Sequence, residues 1–203
     1  MEKKRLFLRV SMVLTGVFLI SLGVYLFVNS RLGSDPFTVM LQGASQTLGF
    51  SLGGLNIAVK IAILLPLYLL TKAKFGLGTI VNAVFLGLFL EMFYFIFGSL
   101  EPEFILLQLT MLAGAILTIG SGIALYVSAG MGEGALESLM IFCKRKSNFS
   151  LKLVKVGLDV SFGVIGLLLG GTIGVGTVVG ALSIGPVTQY MFRQVNHLTG
   201  LKY

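Results

Sequence analysis

Residues 75–87 read FGLGTIVNAVFLG, and residues 173–185 read IGVGTVVGALSIG. Aligned without a gap, Gly76, Gly78, Thr79, Val81, Ala83 and Gly87 fall on Gly174, Gly176, Thr177, Val179, Ala181 and Gly185, an offset of 98. Upstream the offset is 99: Gly23 falls on Gly122, Gly33 on Gly132, and Phe50-Ser51-Leu52 on Phe149-Ser150-Leu151. The chain reads as one unit written twice, with repeat 1 over about residues 6–98 and repeat 2 over about 105–193, in a single membrane domain spanning 1–203. Each copy holds three long apolar runs. Three is odd, so the second copy enters a bilayer upside down. Inverted repeats of this kind are a common plan of secondary transporters, whose substrate site lies where the copies meet.

Composition points the same way. The chain is 56% hydrophobic and 11% charged, with a mean hydropathy of +0.97. A soluble domain carries roughly a quarter charged residues. The net charge of +7 is therefore read as the basic excess of a cytoplasmic membrane face, not as a nucleic-acid footprint. The single cysteine, Cys143, leaves no intramolecular disulfide, and the single histidine, His197, argues against a metal centre. No nucleophile–base pair can be assembled from them, so no enzyme and no cofactor is expected. The opening MEKKRLFLR precedes an apolar run of about 20 residues, longer than a signal-peptide core of roughly 7–15. That run has a counterpart in the second copy and is read as a retained span.

About 20 apolar residues cross a ~30 Å hydrocarbon core. Six runs qualify, at roughly 8–29, 52–71, 76–97, 105–128, 153–171 and 174–192. Open sheets leave unpaired amides in lipid, and barrel strands are short and alternating, so the runs are helices. The expected fold is an all-α integral membrane protein, with six transmembrane helices as two inverted-topology three-helix repeats. Six spans gather Lys3, Lys4, Arg5, Arg9, Lys72, Lys74, Lys144, Arg145, Lys146, Lys152, Lys155, Arg193 and Lys202 on one side, 13 of the 15 basic residues. Arg31, Asp35, Glu101 and Glu103 fall on the other. This bias puts both termini in the cytoplasm of a bacterial inner-membrane protein.

Residues 33–50 and 132–149 follow the first span of each copy at equivalent places. Each carries a short apolar stretch and helix-start residues, Ser34-Asp35-Pro36 and Glu133. Each is expected to form a short helix, either interfacial or re-entrant. If re-entrant, their positive ends point toward the centre and can hold an anionic group.

Charge within a span costs on the order of 3 kcal/mol on insertion scales and needs a reason. Lys60 lies in the second run and Asp159 in the fifth, and the two are repeat equivalents. They are expected to face the repeat interface, as a pair opened by substrate or proton, or as a permanent ion pair joining the copies. Glu91, in the third run, is a candidate proton carrier or a wet carboxylate near the outer surface. Glu133 and Glu137 line an inner vestibule or serve as helix-start charges. Thr79 and Thr177, in the paired G-x-G-T segments, form a polar rim of the site or a close packing seam. These segments lack the Lys-Ser/Thr of a phosphate loop.

Leu32-Gly33 with Pro36, Gly76-Leu77-Gly78-Thr79, Gly174-Val175-Gly176-Thr177 and Gly185-Pro186 occur in an order that resembles the bacterial YczE/YyaS/YitT family, most closely its YczE branch. The resemblance covers the chain from about Val10 to Phe192. It implies a multi-pass inner-membrane protein and supplies no mechanism. One departure is Gly134-Ala135-Leu136-Glu137, where family members often show a Gly-Pro-Arg-Asp-like stretch. If that arginine reads an anion, the substrate of this chain differs.

The expected function is a small secondary transporter or channel for a small polar solute, with an anion among the candidates. Lys60, Asp159, Thr79 and Thr177 would bind it, with Glu91 coupling protons. The partners are the lipid bilayer, the solute and a possible homodimer mate. The competing class is a scaffold that assists a neighbouring enzyme or exporter, which predicts a packed interior without polar clefts.

Overall fold

The computed structural model describes residues 2–71 and 75–199, which form eight α-helices. Lys72, Lys74 and Lys202, counted above on the basic side, lie outside the described residues. In chain order the helices are α1 (Glu2–Asn29), α2 (Pro36–Leu48), α3 (Leu52–Thr71), α4 (Leu77–Phe97), α5 (Ile105–Ser128), α6 (Ala135–Lys146), α7 (Leu151–Leu168) and α8 (Val175–Thr199). Local sequence sets the ends. Asp35 caps α2 by accepting the Thr38 N–H at 3.1 Å, with Pro36 in the first turn, and Gly49 closes it at φ 72°. Ser150 caps α7 in the same way through Leu153 N–H. The short apolar stretches of both linkers form helices, α2 and α6.

Five helices are long and apolar enough to cross a membrane: α1, α3, α4, α5 and α8. The run expected as a sixth span is not among them. The run at 153–171 does form a helix, but α7 has 18 residues and carries Lys152, Lys155 and Asp159. Its charge density sets it apart from the other five.

The centre of the molecule is the α1–α5 seam. A Cβ on Gly16 would run into the Gly122 carbonyl, and one on Gly122 into that of Gly16. Seven residues further along α1, a Cβ on Gly23 would meet the Ala115 carbonyl and the Ile119 side chain. As numbers rise along α1 they fall along α5, so the two helices run antiparallel. The two contacts also exchange under the offset of 99, since Gly16 corresponds to Ala115 and Gly23 to Gly122. Small residues let the backbones approach, which is how helices gain packing energy in lipid.

The same exchange recurs at the loops. Gly78 N–H donates to the Met131 carbonyl at 2.8 Å, and Gly176 N–H to the Leu32 carbonyl at 2.7 Å. Each G-x-G-T segment is thus clamped by the loop of the other copy. The clamp needs Gly33 and Gly132 at φ +93° and +131°, conformations that side chains resist. Thr177 Oγ1 lies against Gly33, and Thr79 Oγ1 against Gly132.

The copies differ in one respect. In repeat 1, α3 packs tightly on α4, with Gly53 and Gly87 facing each other backbone to backbone. In repeat 2 the counterpart of Gly53 is Lys152, and a Cβ on Gly185 would meet nothing within 4 Å. Accordingly α7 barely touches α8 and packs on α2 instead, where Gly43 and Gly166 meet and Thr47 donates to the Leu169 carbonyl at 2.9 Å.

Candidate functional site

The α3–α4 pair carries four buried polar residues: Asn56, Lys60, Thr79 and Asn82. Lys60, on α3, is 4% exposed. Its Nζ donates to Asn82 Oδ1 on α4 at 3.0 Å and more weakly to the Asn82 carbonyl at 3.5 Å. An ammonium has three protons, and the third meets no acceptor among the described residues. The ion pairs among those residues are Arg31–Glu101 and Lys155–Asp159, so Lys60 is a buried cation without a paired carboxylate. One turn before Lys60, Asn56 is also buried, and its Oδ1 has no partner among the described residues.

The Lys60–Asp159 pair is not formed. Asp159 bonds to Lys155 at 2.7 Å, one turn away on the same helix, in an exposed i,i+4 pair of small energetic weight. The two residues are equivalent in sequence but not in surroundings. Asn82, which receives Lys60, corresponds to Gly180, and the ring of Phe27 lies against that glycine. The polar half-site of repeat 1 is a packed apolar one in repeat 2. Thr177 belongs to that apolar half, where its Oγ1 accepts the Gly174 N–H at 3.3 Å. Of the expected binding residues, Lys60 and Thr79 lie on the packed α3–α4 pair, while Asp159 and Thr177 lie on α7 and α8.

Two clefts flank Lys60 along the α3–α4 pair. One, of about 400 Å³, is lined by Gln42, Ser45 and Gln46 of α2, by Leu52 at the start of α3, and by Glu91 and Tyr94 near the end of α4. The other, of about 330 Å³, is lined by Leu67 and Thr71 at the end of α3, by Gly76 and Thr79 at the start of α4, and by Gly132, Glu133, Ser138 and Arg145. At 1.5 Å per residue, Lys60 is about 12 Å along α3 from Leu52 and about 10 Å from Leu67. It therefore stands midway between clefts at opposite ends of one helix pair, with the Gly53–Gly87 contact on one side and Asn82 on the other. Tyr126 of α5 is 5% exposed, and its hydroxyl lies beside Thr79 without a well-aligned hydrogen bond to any described residue.

Glu91 has a structural task. Its Oε1 accepts the N–H of Gly53 at 2.7 Å and of Gly54 at 3.2 Å, so it caps the head of α3 from the neighbouring helix. Helix heads leave such amides free, and a carboxylate there is favourable. Changing Glu91 to Gln should lower stability by about 1 kcal/mol, because a charge-assisted bond becomes a neutral one. Detergent-solubilised protein titrated with a denaturant reads this directly, and an unchanged midpoint would remove the cap from the account.

Sequence reasoning missed Asn82, Asn56 and Tyr126. Asn56 was within reach, four residues before Lys60 and hence on its face. Asn82 and Tyr126 have Gly180 and Phe27 as repeat counterparts, so a search for matched residues passes over them.

Long apolar helices packed around a buried polar pair define a multi-pass membrane protein in contact with the lipid bilayer. Residues 7–193 match a family described as a family of unknown function (DUF6198), and the chain belongs to it. It is similar to an uncharacterized protein of Haemophilus influenzae, 32% identical over 197 residues, covering 96% of this chain and 88% of the relative. It is also similar to two Bacillus subtilis proteins. The uncharacterized membrane protein YczE is 28% identical, with 95% and 89% of the two chains covered. The uncharacterized protein YyaS is 23% identical, with 89% and 90% covered. The expected kinship with the YczE and YyaS proteins therefore holds. No solved structure matches the chain.

Proposed function

We propose that the protein is a small secondary transporter of the bacterial inner membrane, moving a small anionic solute past Lys60. The observation that carries the reading is the position of that residue. A buried ammonium without a counter-ion lies midway between two clefts at opposite ends of the α3–α4 pair. A buried charge is costly, and within a membrane it commonly marks a solute or ion path. The clefts also favour transport over a scaffold, whose interior has no use for them.

In this reading α7 crosses the bilayer as a sixth span and the two copies are inverted repeats. The antiparallel α1–α5 seam and the reciprocal loop clamps support this, because both are self-consistent under exchange of the copies. Both termini then lie in the cytoplasm, the α6 side faces inward, and α2 and α6 are re-entrant from opposite faces. Motion of one copy against the other opens either cleft in turn. The reaction is translocation, not catalysis.

The test is uptake into proteoliposomes together with ligand-induced thermal shift. Wild-type protein should be stabilised by a small anion, by about 2.7 kcal/mol at a hundred times its Kd. Lys60→Met should remain folded and lose both the shift and the uptake. A folded wild type that no small anion stabilises, in which Lys60→Met changes nothing, overturns the proposal.

A further inference from the structure

We infer that the solute is a zwitterion with its two charges at opposite ends of an apolar body, the chemistry of an ω-amino acid or a short apolar peptide, and that the inner cleft reads it. The inference rests on the transport reading above and specifies its solute: the anionic group that passes Lys60 travels with a cationic one.

The charges along the α3–α4 pair alternate in sign. The inner cleft, between the end of α3, the start of α4 and α6, is lined by both Arg145 and Glu133. Lys60 stands midway, and the outer cleft is lined by Glu91. Glu133 adjoins Gly132, which lies against Thr79, one turn of α4 before Asn82 and its contact with Lys60. Arg145 is in the last turn of α6, at the far end. From the inner mouth the order is therefore cation, carboxylate, cation, carboxylate. Arg145 and Glu133 belong to neither of the ion pairs among the described residues, so both charges remain for a ligand. A simple anion meets an opposing carboxylate in each cleft. A zwitterion finds a partner for one charge or the other at every station, which is how complementary charge selects.

The wall between the two inner charges is apolar. Leu67 of α3, Phe75 before α4, and Ile141 and Phe142 of α6 line the same cleft. Ile141 and Phe142 stand four and three residues before Arg145, on its face of the helix. Glu133 and Arg145 are about 18 Å apart along α6 at 1.5 Å per residue, yet both border one cavity of about 330 Å³. A molecule with adjacent charges, such as an α-amino acid, reaches one of them and not both. A molecule with an apolar body between its charges reaches both and rests on the aromatic wall. The cavity is at the small end of ligand sites, which begin at about 300 Å³, so the body is short.

The test uses the detergent-purified full chain and a pair of isomers. Leucine and 6-aminohexanoate have the same atoms, but only the second separates its charges. Melting is followed with both. Hexanoate and hexylamine each lack one charge, β-alanine lacks the apolar body, and the dipeptide alanylleucine stands for the peptide source. Either 6-aminohexanoate or alanylleucine should stabilise the wild type at a concentration at least tenfold below that of any of the other four, and the better of the two tells amino acid from peptide. Glu133→Gln should cost that ligand about tenfold and leave hexanoate unchanged, whereas Arg145→Gln should weaken both. Both side chains are exposed, so neither change threatens folding. Hexanoate binding as tightly as the zwitterions, or Glu133→Gln binding like the wild type, overturns the inference and leaves the Lys60 reading standing. Leucine binding more tightly than its isomer and the dipeptide overturns the separation of charges. If neither these compounds nor any small anion stabilises the folded wild type, the inference and the transport reading fall together.

Discussion

Gly76→Ala, a single added methyl, is expected to destabilise the protein by about 3 kcal/mol, at the upper end of what overpacking costs. The new Cβ would sit on the Met131 carbonyl oxygen and against Gly132 Cα, both backbone, so no side chain can rotate away to relieve it. The Met131 loop must lift, and the bond from Gly78 N–H that holds it is lost with the lift. Gly174→Ala should cost a similar amount, because its Cβ would sit on the Leu32 carbonyl in the mirror arrangement. Controls come from the same chain. Gly157 and Gly185 are helical, with nothing within 4 Å of an added Cβ, so alanine there should be neutral or gain up to about 1 kcal/mol of helix propensity. Denaturant midpoints in detergent, checked by retained helicity, read all four. If Gly76→Ala is as mild as Gly157→Ala, the loop clamp does not hold the copies together.

The clamp also explains how much of the fold could be read from sequence. The repeated G-x-G-T segments, the glycines at 33 and 132, and the helices of the long apolar runs were legible because each is dictated by local chemistry: hydrophobic length, or a backbone that tolerates no side chain. The short helices were legible from Asp35-Pro36 and their spacing. What sequence did not reveal is which copy each segment clamps, since that depends on the crossing of the α1–α5 seam. Nor did it reveal the partner of Lys60. Equal position in the two copies suggested Asp159, but symmetry of the backbone does not carry over to side-chain surroundings. Repeat 1 keeps Asn82 where repeat 2 has Gly180 filled by Phe27, and Asp159 finds Lys155 a turn away before it can find Lys60. Matched positions thus located the scaffold, and unmatched ones hold the candidate site.

That distinction has an energetic consequence at the Lys60–Asn82 contact, where the two single substitutions should have opposite signs. Asn82→Leu removes the acceptor at 3.0 Å and leaves a buried ammonium with only the weak carbonyl contact. Removing one partner of a buried ionic contact costs about 3–5 kcal/mol, because the remaining charge stays desolvated. Lys60→Met removes the charge itself and keeps much of the volume. Exchanges of buried ions for apolar groups are often neutral or stabilising by about 1–4 kcal/mol. The double variant, Lys60→Met with Asn82→Leu, should recover most of what Asn82→Leu alone loses, so the two effects are far from additive. Denaturant unfolding of the four proteins completes the cycle. A large loss in Lys60→Met, left unrelieved in the double variant, would make Lys60 a structural residue and remove the reason to place solute beside it. A stable Lys60→Met that no longer transports would mean that the protein carries a destabilising cation in its core for the sake of what passes it. That separation of stability from activity distinguishes a binding lysine from one that merely holds two helices together.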